Sequence, residues 1–211
     1  MKKILILSTI LLVTVISVIF AIDSNQYRVE ETTSNHHIVF GKETKIFIQP
    51  LGDVSPDYIQ TVKESIESFY NFECKVLETS DLSVELLSPS KRRYSADRII
   101  EKFDTQSRYI VLTEADITTE KNGNPEWGIL GLGFCPGNVC VVSTHRMGRN
   151  VSNSLKHERL RKVSLHEIGH TLGLDHCDND SECLMNDAKG TVKTIDSETK
   201  FCDRCSSIIG M

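Results

Sequence analysis

The spacing of hydrophobic and polar positions predicts strands and helices that alternate along the first half of the folded part of the chain. Residues 45–48 alternate polar and apolar side chains, which is the period of a strand with one buried face. Ser55 and Pro56 are typical of a helix start, with serine as the cap and proline at the first helical position. Apolar residues then recur on one helical face, at Ile59, Val62, Ile66 and Phe69.

The same alternation continues downstream. Residues 74–77 are a short strand candidate, Ser95 caps a second helix, and residues 109–112 form an apolar run typical of a central strand. Residues 127–134 and 139–142 are strand-like and are separated by proline and glycine, which predicts a hairpin. The first of these strands contains three glycines, which usually mark the close approach of another backbone. They are Gly128, Gly131 and Gly133.

The N-terminus carries a different pattern. After Lys2 and Lys3, residues 4–22 contain no charge, and they predict a secretory signal peptide or an N-terminal membrane anchor in residues 1–22. Residues 23–42 are polar and are expected to form a spacer, so the folded domain would span residues 43–211. We therefore expect an exported chain, either membrane-anchored and facing out of the cytoplasm or secreted after cleavage.

Composition limits the possible partners. The chain has 211 residues, 39% hydrophobic and 25% charged, as in a globular protein of one domain. Without residues 1–22 it keeps 22 of its 24 basic residues and all 29 acidic ones, a formal net charge of −7. This charge argues against a nucleic-acid partner, which requires a basic patch.

A cluster of histidines carries the candidate chemistry. His166 and His170 are four residues apart, so on a helix they share one face and can chelate one metal ion. Gly173 suits the end of that helix and allows the chain to bring His176 to the same metal. Three imidazole ligands with an open fourth position favour catalytic zinc. Glu167 would act as general base on a zinc-activated water and pass the proton to the leaving nitrogen.

This pattern, His-Glu-x-x-His-x-x-Gly-x-x-His, resembles the signature of the metzincin zinc peptidases. Cys177, directly after the third histidine, makes the chain similar to the archaemetzincin family, and the pattern continues between residues 109 and 205. The further matching positions are Cys183, Met185, Cys202 and Cys205. One spacing departs from the family, since five residues separate Cys177 from Cys183 where four are expected, and the next gap is one shorter.

The resemblance implies an α/β (α+β) fold of the compact zincin type, with a mixed β-sheet, an active-site helix and a zinc-bound, cysteine-rich C-terminal segment. It implies two zinc ions, a catalytic one at the histidines and a structural one at Cys177, Cys183, Cys202 and Cys205. Met185 would lie beneath the histidines without binding metal. Substrate would lie along an edge strand above the zinc, and we expect residues 127–134 to form that strand.

The residues themselves leave two readings of the cysteines open. The two-residue gap between Cys202 and Cys205 suits a metal chelate, whereas an oxidising compartment would favour disulfides. Cys135 and Cys140 flank the predicted turn and would face each other across the hairpin. Cys74 has no evident partner and is expected to be buried.

The sequence therefore predicts a monomeric zinc metallopeptidase that hydrolyses peptides or proteins, either as an endopeptidase or as an aminopeptidase. The alternative is a catalytically weak or inactive, zinc-stabilised metzincin fold that serves as a binding or scaffold protein. Glu167 distinguishes the two, because a structural zinc module has no need of a general base. A redox protein built on Cys202 and Cys205 is a weaker third reading, since two more cysteines lie at zinc spacing.

Overall fold

Strands and helices alternate as predicted from Thr44 onward in the computed structural model, which describes residues 44–148 and 150–211. The strands of this part are β1 Lys45–Pro50, β2 Glu73–Val76, β3 Tyr94–Ser95, β4 Arg108–Thr113, β5 Ile117–Lys121, β6 Asn124–Ile129, β7 Gly131–Gly133 and β8 Val139–Ser143. The helices are α1 Pro56–Tyr70, α2 Ala96–Phe103, α3 Asn153–Thr171, α4 Val192–Ser197 and α5 Asp203–Ile208, with a 3-10 turn at Val84–Leu86. Ser55 and Ser95 cap α1 and α2 as predicted, each accepting a hydrogen bond from a backbone N–H of the first turn.

The main sheet is mixed and has five strands in the order β2-β1-β4-β8-β7. Its first four strands are parallel, and β7 pairs antiparallel with β8 at one edge. A second sheet of three strands has the order β3-β5-β6. This arrangement confirms the predicted fold class, and β4 is central as its apolar run indicated.

Helices cover both faces of the main sheet, which explains why its central strands are apolar on both sides. In β4, Ile110 and Leu112 face the larger core beneath α1 and α3, whereas Val111 faces the smaller core beneath α2. The Tyr70 hydroxyl at the end of α1 donates to the carbonyl oxygen of Leu165 at 2.7 Å. This contact fixes α1 against α3, the helix that carries the histidines.

The predicted strand at residues 127–134 is interrupted at Leu130. Residues up to Ile129 belong to β6 in the small sheet, and β7 starts at Gly131 in the large sheet. Beside β6, the Asp116 carboxylate accepts two hydrogen bonds from Arg146, at 2.7 and 2.9 Å, and one from Arg93 at 2.8 Å. Of residues 127–134, the segment predicted to bind substrate, only β7 therefore remains a candidate for that role.

Two predictions concern residues outside the described ranges. The signal or anchor segment at residues 1–22 and the spacer at residues 23–42 both lie there. Within residues 44–148 and 150–211, no helix is long and apolar enough to cross a membrane.

Candidate active site

The 19-residue helix α3 positions the first part of the site. Leu165, Ile168 and Leu172 form its buried apolar face and hold it against the sheet, as predicted. The helix ends at Thr171, and two residues later Gly173 has a φ of +95°, in the left-handed region that favours glycine. The reversal there brings His176 back toward the helix.

The three predicted histidines converge. Their rings are 4.6 Å apart for His166 and His170, 4.8 Å for His170 and His176, and 5.4 Å for His166 and His176, measured between centroids. One nitrogen from each ring lies within 4.8 Å of the others. A set of three imidazoles this close together fits a zinc ion with an open coordination position.

Backbone carbonyls orient two of these rings. His166 Nδ1 lies 2.6 Å from the carbonyl oxygen of Leu184, and His170 Nδ1 lies 2.7 Å from that of Leu174. A carbonyl only accepts, so each Nδ1 carries the proton and each Nε2 keeps a free lone pair for a metal. Burial lowers the pKa of His166 to about 3 and also lowers that of His170, which keeps both rings neutral.

Glu167 lies between the helix and the edge strand. Glu167 is only 6% exposed, and burial raises the pKa of its side-chain carboxyl to about 8. A Cβ built at Gly131 would lie 2.5 Å from Glu167 Oε1, and one built at Gly133 would lie 2.7 Å from the carbonyl oxygen of Glu167. The close backbone approach predicted for the glycines is therefore found at Gly133, whereas the Glu167 side chain approaches Gly131.

Met185 lies beneath the histidines. A Cβ built at Gly169, between His166 and His170 on α3, would lie 2.6 Å from the sulfur of Met185. The methionine is fully buried, and its carbonyl accepts a hydrogen bond from the N–H of Cys177 at 2.8 Å.

The four C-terminal cysteines form a second cluster. All four are buried and free, and their sulfurs lie within 4.8 Å of one another. The Cys177 and Cys202 sulfurs are 3.7 Å apart, as are those of Cys183 and Cys205. These separations are far longer than a disulfide bond of about 2.05 Å and suit four thiolates around one metal ion.

Hydrogen bonding favours the ionised form of one thiol in this cluster. Burial opposes ionisation, but hydrogen bonds from the Cys205 backbone and from neighbouring thiols outweigh it and lower the pKa of Cys202 to about 7. A thiolate is the form that binds metal.

Comparisons with known proteins agree with this geometry. The sequence model of peptidase family M54 matches residues 63–210. The archaemetzincin of Archaeoglobus fulgidus is 33% identical over 166 residues, covering 78% of this chain and 98% of its own length. The archaemetzincin of Halobacterium salinarum is 29% identical over 177 residues, covering 78% of this chain and 99% of its own.

Solved structures show the same likeness. The crystal structure of the A. fulgidus archaemetzincin, complexed with malonate, superposes with a TM-score of 0.70 and 31% identity. It covers 78% of this chain and 99% of its own. The chain belongs to the archaemetzincin family. It is accordingly grouped with zinc-dependent metallopeptidases that act on peptides.

Family membership corrects the predicted localisation. The H. salinarum archaemetzincin is matched over 99% of its own length by 78% of this chain, and this comparison supports no exported or membrane-anchored form. The expectation of an exported protein, membrane-anchored or secreted, is therefore wrong on this comparison. It rested on Lys2, Lys3 and the apolar run at residues 4–22, which lie outside the described residues.

The expectation that Cys135 and Cys140 face each other across the hairpin is also corrected. The hairpin forms, but Cys140 pairs with Gly133 and is buried, whereas Cys135 lies in the exposed connection. The Cys135 sulfur contacts Asp175 Oδ1 at 3.5 Å, and the Cys140 sulfur lies 3.7 Å from the carbonyl oxygen of Tyr109. Both thiols are free. Cys74 is buried, as predicted.

A cleft of about 420 Å³ opens over His166, His170 and His176. Its wall includes β7 on one side and residues of the C-terminal segment on the other, among them Asp187, Ile195 and Glu198. The sequence singled out none of these three residues. Ile195 and Glu198 belong to no motif, and the packing of α4 on α3 brings them to the site. Asp187 precedes α4 and follows Met185 by two residues.

Proposed function

We propose that this archaemetzincin hydrolyses peptide bonds, with His166, His170 and His176 holding the catalytic zinc and Glu167 serving as general base. The observation that carries the proposal is the convergence of three imidazoles and one buried carboxyl at the floor of a cleft with an open sheet edge. Zinc, when bound, supplies Lewis acidity to the scissile carbonyl and lowers the pKa of water to about 7.

The protein's own groups perform the remaining tasks. Glu167 accepts the proton of the attacking water and delivers it to the leaving nitrogen. Burial raises the pKa of its carboxyl to about 8, and a nearby cation would lower that pKa and favour the ionised form that accepts a proton. The carbonyls of Leu184 and Leu174 keep the first two histidines in the metal-binding tautomer.

The edge strand β7 is the proposed docking strand for substrate. It pairs with β8 on one side only, so its other edge offers backbone groups to an extended peptide. Gly131 and Gly133 lack side chains, and both line the cleft beside Glu167. A peptide paired there would present a carbonyl to the metal centre.

A second, structural zinc is proposed at Cys177, Cys183, Cys202 and Cys205. The sulfur separations of 3.7 Å and the absence of disulfides among the described residues support it. The cluster also adjoins the catalytic centre, because Leu184, whose carbonyl orients His166, directly follows Cys183. Met185, next in the chain, is proposed as the apolar support of the metal ligands.

The deciding experiment is Glu167→Gln in the zinc-loaded protein. The amide keeps the size of the side chain but accepts no proton, so zinc content should be unchanged while hydrolysis of a peptide library falls by about 10²–10⁴-fold. Glu101→Gln, the same change at an exposed site on α2, serves as the matched control and should keep full activity. Undiminished cleavage by Glu167→Gln would disprove the assigned mechanism, and no cleavage by the unmodified protein would favour the scaffold alternative.

A further inference from the structure

Glu198 is an unusual component of the cleft wall. It follows α4 directly, and only 2% of its surface is exposed although it lines the cleft. Its Oε1 atom has no hydrogen-bond partner among the residues that the structure describes. Buried carboxylate oxygens are almost always hydrogen-bonded or paired with a cation, so one without a partner at a ligand cleft indicates a missing partner.

Packing of α4 on α3 holds Glu198 in this position. Arg159 on α3 donates to both carboxylate oxygens of Asp196, at 2.7 and 2.6 Å. Lys162 Nζ donates to the carbonyl oxygen of Ile195 at 3.0 Å. The segment before Glu198 is therefore anchored twice, and the acid cannot easily swing out to water.

Lys162 offsets the buried charge of Glu198 only in part. Lys162 Nζ is engaged by the carbonyl of Ile195 and lies 3.7 Å from Glu158 Oε1. Burial raises the pKa of the Glu198 carboxyl to about 7, with Lys162 opposing only in part. A cation that entered the cleft would stabilise the ionised form.

The surroundings of Glu198 suit a long cationic side chain. Ile195, one helical turn before it, and Val163, one turn before His166, both line the cleft and are buried. Apolar walls of this kind cover the methylene stem of lysine or arginine, while the acid receives the charged head. Among the described residues that line the cleft, acidic side chains outnumber lysines by five to two. The acidic residues are Glu120, Glu167, Asp175, Asp187 and Glu198, and the lysines are Lys121 and Lys189.

We propose that Glu198 is the specificity-determining residue of the cleft and selects peptides with a lysine or arginine side chain close to the scissile bond. The subsite adjoins the metal centre, because Val163 and His166 lie on successive turns of α3. The proposal rests on the peptidase function proposed above and adds the chemical class of the substrate.

Binding without turnover provides the first test. Zinc-loaded Glu167→Gln protein is titrated with two blocked oligo-alanine peptides that carry a single central lysine or norleucine. Trp127, the only tryptophan of the chain, lines the cleft and reports occupancy by its fluorescence. We expect the lysine peptide to bind at least about tenfold more tightly, the factor expected when a buried charge finds its partner.

Variants identify the residue responsible. Adding Glu198→Gln should abolish the preference for lysine, Glu198→Asp should retain part of it, and the matched surface change Glu101→Gln should leave it intact. Thermal unfolding of each variant verifies its fold. A lysine preference that survives Glu198→Gln would overturn the assignment to Glu198, and equal binding of both peptides by the parent would overturn the proposal whatever the variants do.

Cleavage of a peptide library separates this proposal from the underlying function. Sites cut by the active protein should be enriched in lysine or arginine at one fixed position, and Glu198→Gln should lose that enrichment. Cleavage without any such enrichment would refute the role of Glu198 and leave the peptidase function standing. Lysine-selective binding with no cleavage would refute the peptidase function and leave the cationic subsite standing.

Discussion

Gly131→Ala is expected to impair catalysis while leaving the fold almost intact. The added Cβ would lie 2.5 Å from Oε1, 2.7 Å from Cγ and 2.8 Å from Cδ of Glu167. Ordinary contact starts near 3.4 Å, so the carboxyl must move by about 0.9 Å. Only one side chain is in the way, and rotation about its own bonds relieves the contact.

The size of the effect follows from that displacement. Misplacing a catalytic group by about 1 Å can reduce the rate by about 10²-fold, and kcat should fall more than KM changes because Glu167 acts in the transition state. Overpacking relieved by one side chain costs about 1 kcal/mol, which lowers Tm by about 2–4 °C in a domain of this size.

Gly133→Ala on the same strand is the matched comparison. Its Cβ would lie 2.7 Å from the backbone oxygen of Glu167, 3.2 Å from the Cβ of His170 and 3.3 Å from that of Cys140. These atoms are fixed to α3 and β8, so the strand itself must shift, at a cost of up to about 3 kcal/mol. We expect a larger fall in Tm and a loss of zinc.

Steady-state kinetics, metal analysis and thermal unfolding of both variants decide the matter. The predicted displacement of the Glu167 carboxyl is refuted if Gly131→Ala retains full kcat with zinc bound. It is equally refuted if Gly131→Ala loses as much thermal stability as Gly133→Ala, because the contact would then involve more than the Glu167 side chain.

Two further predictions concern the C-terminal segment. Cys202→Ser should release one zinc per chain and weaken metal binding at the histidines, because Leu184, which orients His166, directly follows Cys183 of the cysteine cluster. Cys74→Ser, at a buried cysteine outside the cluster, is the control. Unchanged catalytic zinc in Cys202→Ser would contradict the dependence of the histidine site on the cysteine cluster. Burial raises the pKa of Glu198 from 4.5 to about 7, so the folded state holds a proton that the unfolded state has lost, and stability should fall as pH rises through that window. Urea unfolding should show a flatter pH profile for Glu198→Gln, and a constant stability difference from the parent would exclude this effect.

The sequence by itself determined the elements and the chemistry that depend on short-range spacing. Helical spacing of four residues places His166 and His170 on one face of α3, and the left-handed preference of Gly173 ends the helix where the chain must turn. Serine caps and strand periodicity predicted the starts of α1 and α2 and the central position of β4. These features are local, so the residues that cause them are adjacent in the chain.

Where local rules were extended to neighbouring segments, the sequence was less reliable. Residues 127–134 are strand-like throughout, yet the chain changes sheets at Leu130, whose carbonyl oxygen accepts a hydrogen bond from the N–H of Ser143 at 2.8 Å. Cys135 and Cys140 flank a turn, yet the hairpin register places Gly133 opposite Cys140. Both outcomes depend on pairing partners that sequence periodicity does not identify.

Only the tertiary structure decided which distant groups complete the site. The carbonyls of Leu184 and Leu174 orient the histidines, but every residue has a carbonyl, so no side-chain pattern marks these two. Glu198 reaches the cleft because Arg159 and Lys162 anchor α4 to α3 across more than thirty residues of chain. Metal-binding residues can be read from the sequence because their chemistry is rare and their spacing short. The groups that orient them and shape the cleft are ordinary residues, and their roles arise only from long-range packing.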